Sequence, residues 1–165
     1  MAQPLSARRQ YLTFTLGGEI FALDIVKVRE VLGLTAISEI PRTPQHMKGV
    51  ISLRGHAVPV IDMRLKLGMS PIEWTVDTCI VILEVRSGGE DIVLGTLVDS
   101  VREVFEMAQE DMEPAPRMGT PLEADCISAM GRQGDRFIII VDADRVFSGE
   151  IPVTAGMDAV ESRAA

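Results

Sequence analysis

The chain is poor in the residues from which enzyme sites are assembled. Its 165 residues hold two histidines, His46 and His56, and two cysteines, Cys79 and Cys126. Structural and catalytic zinc needs three or four converging Cys or His ligands, and these four are widely spaced with no CxxC pair. Both cysteines sit within apolar runs and read as core thiols. No GxSxG or other nucleophile motif accompanies either histidine, so no Ser, Cys or Thr has an evident base. The phosphate-cradling patterns GxGxxG and GxxxxGK[ST] are missing. Asp142-Ala143-Asp144 is too short for an oxygen-ligand cation site and reads as the cap of a last helical turn. Glu30, Asp62 and Asp99 could serve as acid–base carboxylates, but nothing in the sequence brings two of them together. These absences argue against catalysis, a metal or a cofactor.

Two further absences bound the setting. No window approaches the roughly 18–20 unbroken apolar residues of a membrane span, and no apolar stretch of signal-peptide length follows Arg8-Arg9. The expectation is a cytoplasmic protein with no membrane insertion. Lys and Arg number 16 against 24 Asp and Glu, for a net charge of −8. Nucleic acid rewards clustered positive charge and is therefore not expected as a partner.

Apolar residues make up 47% of the chain and aromatics only 4%. A core of Val, Ile, Leu and Met follows, in one domain expected over residues 8–150, with 151–165 expected as a mobile tail. Tyr11 to Leu16 alternates as a half-buried strand, Gly17-Gly18 turns it, and Ile20 to Leu23 returns. Asp24 is expected to cap a short helix with Ile25, Val28 and Leu32 on one face, stopped by Gly33. Val50 to Leu53 and Ala57 to Ile61 form a hairpin around the corner Arg54-Gly55-His56. Pro59 means that its strand lies at an edge or carries a bulge. A helical turn over Asp62 to Leu67 follows. Thr78 to Val85 and Ile92 to Val98 form another hairpin, and the β-branched content of Val98 to Phe105 favours a strand over a helix. Ala108 to Thr120 reads as loop, and a last hairpin turns over Gly131 to Asp135. Many short strands and few helices indicate an all-β barrel or sandwich, without a sequence repeat.

Binding remains as the function class. Arg54 is either a solvated turn residue or an interface anchor, arginine being enriched among hot spots. Glu30 is either solvated or paired.

At these residues the sequence resembles the CheW family, the coupling proteins of bacterial chemotaxis. The matching segments run in order through FTLGGEIFALDI, VKVREV, IPRTPQHMKGVISLRG with VPVIDMRLKLG, LGTLVDSVREV, MEPAP and GRQGDRFIIIVD. The resemblance implies two small, intertwined five-stranded β-barrels sharing an apolar core. It also implies a non-catalytic adaptor joining the cytoplasmic tips of chemoreceptors to the regulatory domain of the histidine kinase CheA, in an array at the membrane. Carried over by position, Glu30 and Arg54 become a charged pair fixing the helix to the hairpin. Val28, Gly49, Val50 and Gly55 lie alongside in the receptor- and kinase-contact region, and Val98, Asp99 and Val101 form a partner-facing segment of the second barrel. Ser52, where many members have Asn, and His56 depart from the pattern. Two other readings stand beside this one: a small anion-binding or catalytic barrel using the Arg54/His56 corner, and copies of the chain assembling with each other.

Overall fold

A computed structural model describes residues 8–114 and 126–150. The expected tail, and residues 115–120 of the expected loop, lie outside the described residues. Ten strands run in chain order: β1 (Arg8–Leu16), β2 (Glu19–Asp24), β3 (Val28–Gly33), β4 (Met47–Leu53), β5 (His56–Asp62), β6 (Cys79–Ser87), β7 (Glu90–Val98), β8 (Ser100–Ala108), β9 (Ile127–Gln133) and β10 (Arg136–Val141). Two one-turn helices, α1 (Met63–Lys66) and α2 (Ala143–Val146), follow β5 and β10.

The strands form two five-stranded sheets, in the order β9-β10-β2-β1-β8 and β3-β6-β7-β5-β4. A backbone bridge closes each sheet into a barrel. Ser38, beyond β3, exchanges two hydrogen bonds of 2.9 Å with Val50 on β4. Glu113, beyond β8, exchanges two of 2.8 Å with Met130 on β9. The five-stranded barrels implied by the family resemblance are thus present.

The two halves of the chain repeat one another. β1 to β5 with α1, and β6 to β10 with α2, run through the same order of hairpin, single strand, hairpin and helical turn. Asp62 and Asp142 cap the two helices. The tetrapeptide Val-Arg-Glu-Val occurs at 28–31 in β3 and again at 101–104 in β8. The expectation of no repeat is therefore corrected: a short sequence echo marks a structural one. The halves exchange strands. Each barrel takes a hairpin from one half and a single strand plus a hairpin from the other, joined through parallel pairs β10–β2 and β5–β7.

Three apolar clusters follow from this weave. Tyr11, Ile20, Ala22, Met107, Ile138 and Ile140 fill the first barrel, and Ile51, Val58, Val60, Ile80, Ile82 and Leu97 the second. Between them lies a shared core that includes Phe14, Leu16, Leu23, Ile61, Met63, Val81, Leu83, Leu94 and Phe147. Successive residues of one strand face a barrel interior and then the shared core. This explains apolar runs such as Ile138–Val141 and CIVIL, which have no polar face.

Four expectations need correction. The helix over Asp24 to Leu32 is instead a single 3₁₀ turn at Ile25–Lys27, followed by β3. Asp24 does cap it, accepting from the Val26 amide at 3.1 Å. Val28, Glu30 and Leu32 then alternate with exposed Arg29, Val31 and Gly33 along β6. The i, i+3, i+7 spacing was compatible with a helix, but pairing with a buried strand outweighs it. Pro59 lies on β5, an interior strand between β7 and β4, with a bulge in the adjoining ladder between Met47 and Gly49. Gly131 is inside β9, and the last turn is at Gly134-Asp135. The segment after Ala108 is not wholly loop: it holds a 3₁₀ turn at Gln109–Asp111 and the closing bridge at Glu113. The strand reading of Val98 to Phe105 and the helical turn after Asp62 hold.

Candidate interaction surface

Arg54 and Gly55 are the two residues of the β4–β5 turn, with φ of 51° and 81°. Two positive φ values suit the right-handed twist of a two-residue hairpin, and Gly55 takes this conformation at no steric cost. Arg54 is held there against the preference of its Cβ. From this tip its guanidinium reaches β3 and meets Glu30 with both terminal nitrogens: Nη1 donates to Oε2, and Nη2 to Oε1 at 3.1 Å. The pairing is bidentate, which fixes direction as well as distance. The hydrogen bonds from Arg54 hold the Glu30 carboxyl below its ordinary range, and the same bonds raise Arg54. The pair spans the opening of the second barrel between β3 and the hairpin tip, and joins strand to hairpin rather than helix to hairpin.

The other expected site residues fall into two groups. Val28 and Val50 are half-buried, and Gly55 is exposed beside Arg54. Gly49 is buried at φ 142°, and a Cβ there would stand 2.1 Å from the Ser38 carbonyl oxygen. There it permits the bridge that closes the second barrel. Val98 is 2% exposed, in the shared core. Asp99 and Val101 are half-buried.

Asp99 is anchored by Arg64 of α1, whose Nε donates to Oδ1 at 2.8 Å and Nη2 to Oδ2 at 2.7 Å. The Gly17 amide adds a third bond to Asp99 Oδ2, at 2.8 Å. Burial pushes the Asp99 carboxyl up, but the donors Arg64 and Gly17 outweigh it and the net direction is down. At the equivalent junction of the other half, Asp144 of α2 accepts both bonds from Lys27 Nζ, at 3.0 and 2.8 Å, and one from the Arg86 amide at 2.9 Å. Burial again opposes and these donors again prevail, so Asp144 is also lowered. The two latches have opposite polarity, with the acid on the helix in one and on the strand junction in the other.

Both lowered carboxylates stabilise the fold above the ordinary aspartate value, and that contribution is lost as pH falls through their lower folded values. Thermal melts between pH 7 and 2 should therefore stay level down to about pH 4 and then decline. A decline setting in near neutrality would contradict the assignment.

Sequence reasoning missed Arg64, Lys27 and Asp144 as structural partners, and it missed an apolar surface beside the bridge. Leu34, Ile40 and Trp74, between 36% and 44% exposed, line a groove of about 550 Å³ with Ile37 and Met47. A second groove, of about 250 Å³, is lined by Pro44, Met47, Pro59, Ile61, Ile92 and Leu94. Glu150 lies at this second groove, where Lys66 Nζ and His46 Nε2 reach its Oε2 at 2.5 and 3.0 Å. His56 is exposed at the start of β5. Among the described residues, no three or more His, Cys, Asp or Glu are placed to hold a metal ion. No helix there is long and apolar enough to cross a membrane.

Two interlocked barrels, a turn arginine pinned across one opening and exposed apolar ground nearby define an interaction module. The CheW-like domain family model matches residues 10–150, and the chain belongs to that family. It is 34% identical over 142 residues to the chemotaxis protein CheW of Klebsiella aerogenes, across 86% of this chain and 83% of that one. The CheW of Bacillus subtilis is 28% identical over 159 residues, across 96% and 99%. Among solved structures, scaffolding protein TtCheW from Thermoanaerobacter tengcongensis superposes with a TM-score of 0.74 at 32% identity, covering 84% of this chain and 92% of that one.

Proposed function

We propose that the protein is a non-catalytic chemotaxis adaptor, working in the cytoplasm at membrane-associated receptor arrays. It joins the cytoplasmic tips of chemoreceptors to the regulatory domain of the kinase CheA. The observation that carries this reading is the likeness of the whole two-barrel body to a scaffolding CheW, with Glu30–Arg54 placed at an exposed tip. Linking two moderate sites raises effective concentration, so weak contacts can build a firm assembly. Val28, Glu30, Val50, Arg54 and Gly55 form the contact surface on the second barrel, and Val101 marks a contact on the first. Gly49, Val98 and Asp99 shape these surfaces from beneath. The small anion-binding or catalytic alternative is not favoured, because the relatives this chain resembles are chemotaxis and scaffolding proteins.

Reconstitution tests the proposal. Receptor-containing membranes and kinase are mixed with the wild type, Arg54→Ala or Glu30→Ala, and autophosphorylation and co-sedimentation are followed. The wild type should raise receptor-controlled kinase activity several-fold, and the folded variants should do so less. Normal binding and activity by both variants would refute the site assignment, and a wild type that binds neither partner would refute the adaptor.

A further inference from the structure

The two halves of the molecule provide an internal control on what Arg54 is for. The first residue of each of the four hairpin turns is left-handed: Gly17 at φ 62°, Arg54 at 51°, Gly88 at 60° and Gly134 at 63°. Three are glycine, the residue that adopts this conformation without steric cost. Only the β4–β5 turn has a long side chain there. Bridging the barrel opening does not demand one. In the first barrel Glu103 occupies the place of Glu30 in the second Val-Arg-Glu-Val, and a neutral amide, Gln133 Nε2, meets it across the equivalent gap at 3.0 Å. There the turn residue is Gly134 and no cation is used. The second barrel therefore carries both a conformational cost and a charge beyond what closure needs.

The exposure of the pair points the same way. The Arg54 side chain is 70% exposed and that of Glu30 only 26%, so the acid is turned inward and the cation outward. A guanidinium has five N–H donors, and those directed at Glu30 come from its two terminal nitrogens. The remaining donors have no acceptor among the described residues. On a chain of net charge −8, this is a local cation held in fixed orientation. Arginine so presented is matched to a carboxylate, which accepts in a plane and in pairs.

We infer that Arg54 reads an acidic side chain, Asp or Glu, on the surface of a protein partner, with Glu30 as the residue that positions it. This rests on the adaptor reading above and adds the chemistry of the group that docks at this corner. The partner carboxylate completes a row of acid, guanidinium and acid, so Glu30 need not be displaced.

The test titrates the wild type, Arg54→Gln and Arg54→Lys with a chemoreceptor tip fragment and, separately, with the kinase regulatory domain, each at low and high salt. Circular dichroism confirms the fold of every variant. For one of the two partners, Arg54→Gln should weaken binding about tenfold or more and flatten its salt dependence. Arg54→Lys should keep the salt dependence with a smaller loss, since it retains charge without the planar fork. Affinity and salt dependence left unchanged by Arg54→Gln for both partners overturn this inference alone. A loss of affinity with salt dependence intact does the same, because it reports only turn geometry. A wild type that binds neither partner overturns the adaptor reading together with the inference.

Discussion

Gly49→Ala is expected to be the most damaging small substitution in the second barrel. The added methyl would sit 2.1 Å from the Ser38 carbonyl oxygen, 2.8 Å from its carbonyl carbon and 2.9 Å from Ile37 Cγ2. Two of these three are backbone atoms, which cannot rotate aside as a side-chain end can. The backbone at φ 142° also resists any Cβ. Relief requires Ser38 to move away, which breaks the two hydrogen bonds to Val50 that close the barrel. Strain and the stranded amide and carbonyl together should cost about 3–4 kcal/mol. For a chain of this size that lowers the melting temperature by about 10 °C, readable by differential scanning calorimetry. A melting temperature within a degree or two of wild type would show that the 36–38 segment is not held against Gly49. Gly131 offers a contrast: the atom nearest a Cβ there is Met107 Sδ at 2.4 Å, part of a flexible side chain that can shift.

Asp99→Ala should be the next most costly change. Arg64 has a side chain only 11% exposed and Asp99 20%, so the pair is too sheltered for solvent to replace the lost partner fully. Removing the carboxylate also frees the Gly17 amide, while Arg64 keeps one bond, from Nη1 to the Ser70 carbonyl oxygen at 2.9 Å. Stranding a partly buried guanidinium should cost about 2–3 kcal/mol. Chemical denaturation of Asp99→Ala, Arg64→Ala and the double variant measures this. The double variant should be less unstable than the sum of the single ones, because each single change leaves a charge without its counter-charge. Strict additivity would mean that the two side chains contribute independently.

Local features of the fold were legible in the sequence. Leu12, Phe14 and Leu16 alternate, Gly17-Gly18 and Gly88-Gly89 announce hairpins, and Asp62 and Asp142 cap turns where short-range rules place them. Arg54-Gly55 was readable as a corner, and the family resemblance linked it to Glu30. What failed depended on long-range pairing. β3 is a strand because β6 offers it a ladder, a fact held 50 residues downstream in Val81 and Leu83 and not in its own period. The burial of Gly49 and Val98 depends on the same pairing, because neither glycine nor valine shows in sequence which side it faces. The Arg64–Asp99 latch joins residues 35 apart, with no pattern to connect them. The repeated Val-Arg-Glu-Val was visible in the letters, but four residues acquire meaning only when both copies occupy the same place in two barrels.

The exchange of strands between the halves also sets how the molecule can respond to load. Peeling β3 from β6 or β8 from β1 pulls one half of the chain out of a barrel that the other half began. Neither barrel is a module that can loosen while its neighbour stays intact, because the covalent chain crosses between them at Asp24–Val28 and at Val98–Ser100. A tug at the Arg54 tip would thus be shared by the whole woven body, a build that favours a stiff strut over a hinge.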